Sequence, residues 1–312
     1  MTTRFLQPRT LGRLGNLLLM SALACGFSPA QETNQQKFRV ACFVDHHNES
    51  DPDLIRMSLE RWATASSPDP SVGVISWIES DNKRWLDAIE SGSYDLYGLL
   101  SHQYFALKNP SILRPCLAIS SNHGITSTFL LITRAEDKIT KPSQLRGKKI
   151  LIDTAGHGEL PLIWFATRLG AEIPFAEIPK FASITLVQQP HRALIPVYFG
   201  KVDACVITRS AYSNASALNP DIVQKLKTTI NSKALLTSVF AFHRDYPLVP
   251  AEKFATRALE IQDQRASKDL FGQIDRVGLQ TFNASALFTV SELYKEYENL
   301  INPQVESKGG QE

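Results

Sequence analysis

Lys149-Ile150-Leu151-Ile152-Asp153-Thr154-Ala155-Gly156-His157-Gly158-Glu159-Leu160-Pro161 is the stretch of this 312-residue sequence that decides its fold class. Lys149 to Ile152 is a short apolar run that predicts a strand. The loop Asp153 to Gly158 contains two glycines, and apolar residues from about Leu160 to Leu169 predict a helix stopped at Gly170. A strand, a glycine loop and a helix in that order are one α/β unit.

The same alternation continues in both directions. Upstream, Phe38–Val44, Val72–Trp77 and Tyr94–Leu100 read as strands. Asp51-Pro52 supplies an N-cap and a first-turn proline to a helix carrying Leu54, Ile55, Leu59 and Trp62. A second helix carries Trp85, Leu86 and Ile89 and stops at Gly92, and Ser101 starts a third. Phe129–Thr133 is a further strand, joined to Lys149 through the turn-rich Pro142–Lys148. Downstream come the strand Ile184–Val187, the helix His191–Phe199 and the strand Ala204–Thr208. Val239–Phe242 reads as a return strand, and helices follow over Ala251–Gln262, Ser267–Val277 and Thr289–Ile301. Thr289 and Glu292 have capping-box spacing, and the tryptophans at 62, 77, 85 and 164 occupy positions expected in a core.

Such alternation predicts an α/β protein of mainly parallel sheets flanked by helices. A chain that crosses out and back predicts two lobes, residues 37–128 plus 239–302 and residues 129–238. The two crossing strands then form a hinge, and the cleft between the lobes is the expected binding site.

The ends and the composition fit export. Arg4, Arg9 and Arg13 precede a short apolar run from Leu17 to Ala24, with Ala22-Leu23-Ala24 and Ser28-Pro29-Ala30 as candidate cleavage sites. The run is shorter than the roughly 20 residues of a membrane span. Residues 1–30 are expected to be a signal, 31–36 a polar leader, and 303–312 a disordered tail. Ala22-Leu23-Ala24-Cys25-Gly26 is also an imperfect lipobox, so simple cleavage and a lipid anchor at Cys25 both stay open. The formal net charge of +2 gives no electrostatic footprint for nucleic acid or an anionic membrane surface. Cys42, Cys116 and Cys205 lack metal-ligand spacing and are expected as buried free thiols, with one disulfide as the alternative.

Several phrases, in order, resemble the phosphate, phosphite and phosphonate solute-binding proteins of bacterial ABC transporters. They are Tyr94-Asp95-Leu96-Tyr97-Gly98-Leu99-Leu100-Ser101, Leu145-Arg146-Gly147-Lys148-Lys149-Ile150, Gly158-Glu159-Leu160-Pro161, Pro190-His191-Arg192-Ala193, Phe199-Gly200-Lys201-Val202-Asp203-Ala204 and Phe242-His243-Arg244-Asp245-Tyr246-Pro247. The resemblance implies the type II periplasmic binding fold, capture of a small anionic solute by hinge closure, and delivery to a membrane permease. It also implies a monomer without cofactor, metal or catalytic residues.

That family holds its tetrahedral oxyanion with a Ser-Thr-Ser-Gly stretch at a helix start. This chain has Thr154-Ala155-Gly156-His157 there, so backbone donors, one hydroxyl and His157 would serve. His191 matches a family histidine, and Ser101, with His102 beside it, matches the first-lobe contribution. Ser127 stands at the hinge, and Thr208-Arg209 follows the strand where aminophosphonate binders place acidic residues. Arg209 and Lys233 are therefore candidates to balance an anion's charge. Each has an ordinary structural alternative. Thr154 to His157 can be a plain turn, Ser101 and His191 helix caps, Ser127 a strand residue, and Arg209 a solvated charge.

Other chemistries find little footing. His46-His47 would face opposite ways on a strand, and no HExxH spacing occurs. There is no GxSxG, SxxK or Walker-A pattern. Two further readings keep the fold, a ligand sensor for a membrane receptor and an enzyme on a two-lobed scaffold.

Overall fold

The computed structural model describes residues 37–44, 50–174, 177–283 and 285–302. The expected signal, leader and tail, Cys25 and His46-His47 lie outside the described residues. The chain opens with β1 (Phe38–Phe43), α1 (Pro52–Ser66), β2 (Val74–Glu79), α2 (Asn82–Glu90), β3 (Leu96–Leu100), α3 (Ser101–Ala106) and β4 (Leu113–Ser120). After β5 (Thr126–Ser127) come β6 (Phe129–Arg134), β7 (Lys149–Asp153), α4 (Leu160–Gly170), α5 (Ile178–Phe181), β8 (Ser183–Val187) and α6 (Pro190–Tyr198). Then follow β9 (Ala204–Thr208), α7 (Arg209–Leu218), α8 (Asp221–Lys225), β10 (Leu226–Asn231) and β11 (Leu235–Leu236). The chain closes with β12 (Ser238–His243), α9 (Leu248–Glu260), α10 (Arg265–Gln273), β13 (Gly278–Gln280) and α11 (Ser285–Ile301).

Local chemistry sets these limits. Asp51 caps α1 by accepting from the Asp53 amide, and Pro52 occupies its first turn. Ile55, Leu59 and Trp62 then recur on one buried face. Asp81 caps α2 through the Arg84 amide at 2.8 Å. In α11 the Asn283 side chain accepts from the Ser285 amide at 3.0 Å, so the helix begins four residues before the expected Thr289. Thr289 and Glu292 form no capping box. The Thr289 hydroxyl bonds the Ala234 carbonyl at 3.2 Å, and Glu292 pairs with Lys233 at 3.1 Å.

Two sheets result. The first has six strands in the order β13-β4-β12-β3-β1-β2, and the second has five in the order β10-β6-β9-β7-β8. Parallel ladders join β1 to β2 and β3, and β7 to β8 and β9. The antiparallel partners are β4, β12 and β13 in the first sheet and β6 and β10 in the second. Pro115 lies inside β4, where it has no amide to give, and the β12 register shifts between Phe240 and Ala241 beside it. A separate two-stranded ladder, β5 with β11, joins the outgoing and returning crossings.

Three apolar clusters cover the sheet faces. In the first sheet Trp62 is fully buried, stacked on Phe240 at 4.9 Å and edge-on to Phe254 and Phe271. A second cluster runs from Trp85 and Tyr97 through Leu235 and Leu236 to Phe129, Trp164 and Leu293. The apolar core is thus continuous across the crossing. A third fills the other face of the second sheet around Leu130, Ala193, Cys205 and Ile207. Trp77 departs from expectation. It is 52% exposed because β2 is an edge strand, and Ser76 faces α1 in its place. Cys42, Cys116 and Cys205 are free, and burial pushes the thiols of Cys42 and Cys116 up to about 12. α11 packs on α4, β11 and α3. Leu300 covers Gly170, and Glu296 pairs with Arg168. No helix among the described residues is long and apolar enough to cross a membrane.

Candidate functional site

Strand direction places the site. β3 and β4 both pair antiparallel with β12, so they run the same way, and β1 and β2 run parallel to β3. All four therefore end on one edge of the first sheet. β7, β8 and β9 end together on one edge of the second, where Phe129 at the start of β6 pairs with Thr208. The chain leaves the first sheet after β4 and enters the second at β6, so each crossing links these two carboxyl-end edges. In open α/β sheets that edge is where ligands bind.

The loop after β7 occupies this edge. Gly156 and Gly158 have φ of 66° and 54°, a region open to glycine and strained for other residues. The turn they allow folds the loop onto Thr154, whose carbonyl accepts from the His157 amide at 3.0 Å and the Gly158 amide at 3.1 Å. The Ala155 amide donates to Asp153 Oδ1 at 3.3 Å. The Thr154 hydroxyl donates to the Val187 carbonyl at 3.3 Å and accepts from Gln188 Nε2 at 2.7 Å. The amides of Ala155, His157 and Gly158 are thus used inside the loop, and the Thr154 amide and hydroxyl are used on Val187.

Two side chains around the loop come from the first sheet. His102, in the first turn of α3, lies against Gly158. A Cβ on Gly158 would overlap His102 Cε1 and stand 2.8 Å from Leu100 Cδ1. Arg276 follows α10 and precedes β13, whose first residue Gly278 pairs with Ser120 at the same edge. Its guanidinium Nη2 donates to the Gly156 carbonyl at 2.6 Å, and Nη1 to the Asp275 carbonyl at 2.8 Å.

Burial sets the charge states. His102 is 5% exposed with its Nδ1 unpartnered, and desolvation pulls its imidazole down to about 4. His157 lies edge-on to Phe129, and its Nδ1 is buried without a partner. Desolvation and then the Arg276 charge pull its imidazole down to about 3. Both rings are therefore neutral at pH 7. Asp153, 3% exposed, has its carboxyl pushed up to about 7 by burial, against the pull of the Ala155 amide.

The remaining expected residues are spread more widely. Ser101 is fully buried and is not a cap. It lies one residue inside α3, after Leu100, and its hydroxyl donates to the Leu236 carbonyl at 2.6 Å. That bond ties α3 to the returning crossing. Ser101→Ala is expected to cost about 1–2 kcal/mol in a urea titration, because a buried carbonyl loses its donor. An unchanged midpoint would contradict that account. Ser127 pairs with Leu235 in the β5–β11 ladder. Thr208 caps α7 through the Ala211 amide at 3.2 Å, and Arg209 is exposed with its amide on the Thr128 carbonyl. His191 is exposed in the first turn of α6 and does not cap it, since Gln189 holds the cap position. Lys233 is engaged by Glu292. The structure therefore gathers His102, Thr154, Gly156, His157 and Arg276. Arg276, Gln188 and the buried Asp153 carry no signal of role in the sequence, because none sits in a spaced motif.

A hollow of about 430 Å³ lies at the opposite edge of the first sheet, lined by residues including Arg39, Asp95, His243 and Asp245. Arg39 pairs there with Asp95 at 2.9 Å, Glu90 pairs with Lys108 at 3.1 Å, and His243 Nδ1 lies 3.5 Å from Asp245. Among the described residues no three His, Cys, Asp or Glu side chains group to hold a metal ion.

The sequence model of the family described as ABC transporter, phosphonate, periplasmic substrate-binding protein matches residues 74–287. No curated protein matches the chain. Several solved structures are similar at 11% identity. XAC2383 from Xanthomonas citri bound to ATP has a TM-score of 0.63, with 85% of this chain and 98% of that one covered. A binding protein component of an ABC phosphonate transporter, PA3383 from Pseudomonas aeruginosa, has 0.56, with 88% and 91% covered. PhnD1 from Prochlorococcus marinus in complex with methylphosphonate has 0.55, with 84% and 98% covered. At such identity the likeness is one of fold.

Proposed function

The chain belongs to the periplasmic substrate-binding proteins of ABC phosphonate transporters, and from that premise we propose that it captures a small oxyanion or phosphonate-like organic acid between its two sheets. Membership makes it a binding component with the type II periplasmic binding fold, not an enzyme. Its partners by family are a small solute and a membrane permease. The observation that carries the ligand reading is the convergence at one point of His157 and the Gly156 loop from one sheet with His102 and Arg276 from the other. A solute seated there touches both halves, so its binding energy favours their approach.

In this reading residues 37–128 plus 239–302 and residues 129–238 are lobes that turn about the β5–β11 ladder. The protein acts as a monomer. It is exported by residues 1–30 and is either cleaved there or held by lipid at Cys25.

The test is a thermal-shift panel of phosphate, phosphite, methylphosphonate, aminoethylphosphonate, sulfate, alkylsulfonates and simple organic acids. A ligand at one hundred times its dissociation constant stabilises the fold by about 2.7 kcal/mol. In a chain of this size that raises the melting temperature by roughly 5–10 °C. A selective shift with one class of anion is the expected result. A flat panel at millimolar anion would remove anion capture as the function.

A further inference from the structure

The guanidinium of Arg276 has carbonyl partners and no carboxylate. It donates to the carbonyls of Gly156 and Asp275, and no ion pair holds it among the described residues. It is half-buried, and burial lowers its affinity for its proton. The Asp275 carboxylate next to it in the chain offsets only part of the cost of burial, so the cation stays under-compensated, and an anion beside it reduces that penalty. The other candidate groups are neutral, paired or exposed. His102 and His157 are neutral, and Lys233 is already paired with Glu292. Arg209, the cation suggested by sequence, is exposed at the start of α7. In the loop that Arg276 grips, His157 has a buried Nδ1 without a partner. A guanidinium with N–H groups to spare and a neutral imidazole thus meet at the Gly156 turn.

We propose that Arg276 is the charge-bearing residue of the anion site, reaching it from the first sheet while its Gly156 bond holds the 153–158 loop in place. This rests on the capture reading above. It adds that the positive charge comes from the segment between α10 and β13 and not from Arg209 or Lys233. One guanidinium arm fixes the loop that carries His157. The remaining N–H groups meet the oxyanion, so loop position and ligand charge are read by the same side chain.

The experiment titrates the exported protein calorimetrically with methylphosphonate and with inorganic phosphate. Wild type is compared with Arg276→Gln, Arg276→Lys and Arg209→Gln, and hydrogen exchange of peptides covering 153–160 is followed without ligand. Arg276→Gln is expected to weaken anion binding about 10- to 100-fold, the range for loss of a charged hydrogen bond. Arg276→Lys should recover part of that loss, and Arg209→Gln should bind within about threefold of wild type. Loop exchange should rise in both Arg276 variants. Wild-type affinity in Arg276→Gln, or the large loss falling on Arg209→Gln, overturns the assignment and leaves the capture reading intact. Absence of binding by wild type to every anion in the panel overturns both. Arg276→Lys keeps the charge and most of the stem, so it decides the matter even where the glutamine variant melts early.

Discussion

Gly158→Ala will lower stability by roughly 2–5 kcal/mol, and the part that comes from the His102 ring will disappear in a chain that also carries His102→Ala. Two terms add. A residue with a Cβ at a φ of 54° is held in the left-handed region, which costs on the order of 1–2 kcal/mol. The methyl group would also overlap His102 Cε1 and crowd Leu100 Cδ1, and overpacking of this kind costs about 1–3 kcal/mol. His102 belongs to the first sheet and Gly158 to the second, so the overlap can be relieved by parting the two as well as by local shifts. The urea midpoint and the small-angle scattering radius separate these responses. A double-mutant cycle assigns the shared part, since residues in contact couple by about 0.5–3 kcal/mol. If Gly158→Ala costs the same with and without the His102 ring, the contact between the sheets is not what the glycine serves.

Asp153→Asn will stabilise the protein at pH 8 by about 2 kcal/mol and have little effect at pH 4. The Asp153 carboxyl titrates near 7 in the folded protein and near 3.8 when unfolded. Its contribution is therefore fully present below pH 4, where both states hold the proton. It declines as pH rises from about 4 to 7, because only the unfolded state has let the proton go. A separation of this size corresponds to an upper limit on the order of 4 kcal/mol, and the local amide and solvent reduce it. The imidazoles act in the opposite direction. His102 and His157 titrate near 4 and near 3 when folded and 6.5 when unfolded. Their stabilisation is complete above pH 6.5 and is lost as pH falls toward 4 and 3. The difference between wild type and Asp153→Asn across a urea series from pH 4 to 8 isolates the carboxyl. An equal difference at both ends would mean that Asp153 keeps its ordinary acidity.

The elements most readable from sequence were those whose side chains pack on both faces. Ala204–Thr208 is buried at every position and Leu160–Gly170 at most, so their apolar runs predict strand and helix with little error. Elements with a mixed surface escaped notice. β4 holds Arg114 and Pro115, and β10 shows half-exposed Lys227 and Thr229, so neither reads as a strand. β13 is three residues long, and α7 buries none of its side chains. The site divided in the same way. The loop at 153–158 was visible because glycines between a strand and a helix have a local meaning. Arg276 was not, since its partner is a carbonyl 120 residues away, brought near by two crossings.

The strand order of the first sheet also dictates when it can be completed. β12 lies between β3 and β4, and its residues come after the whole second sheet in the chain. A chain delivered from its N-terminus has both β3 and β4 in hand long before residue 238 arrives, yet no strand to join them. The second sheet, drawn entirely from 129–231, needs nothing from later in the chain to form its ladders. Until the last quarter of the polypeptide has emerged, two apolar strand edges stand open, the condition in which chains mispair or associate. The first sheet therefore depends on its latest-delivered central strand for closure, as the second sheet does not. Slow, non-local pairing follows from that order.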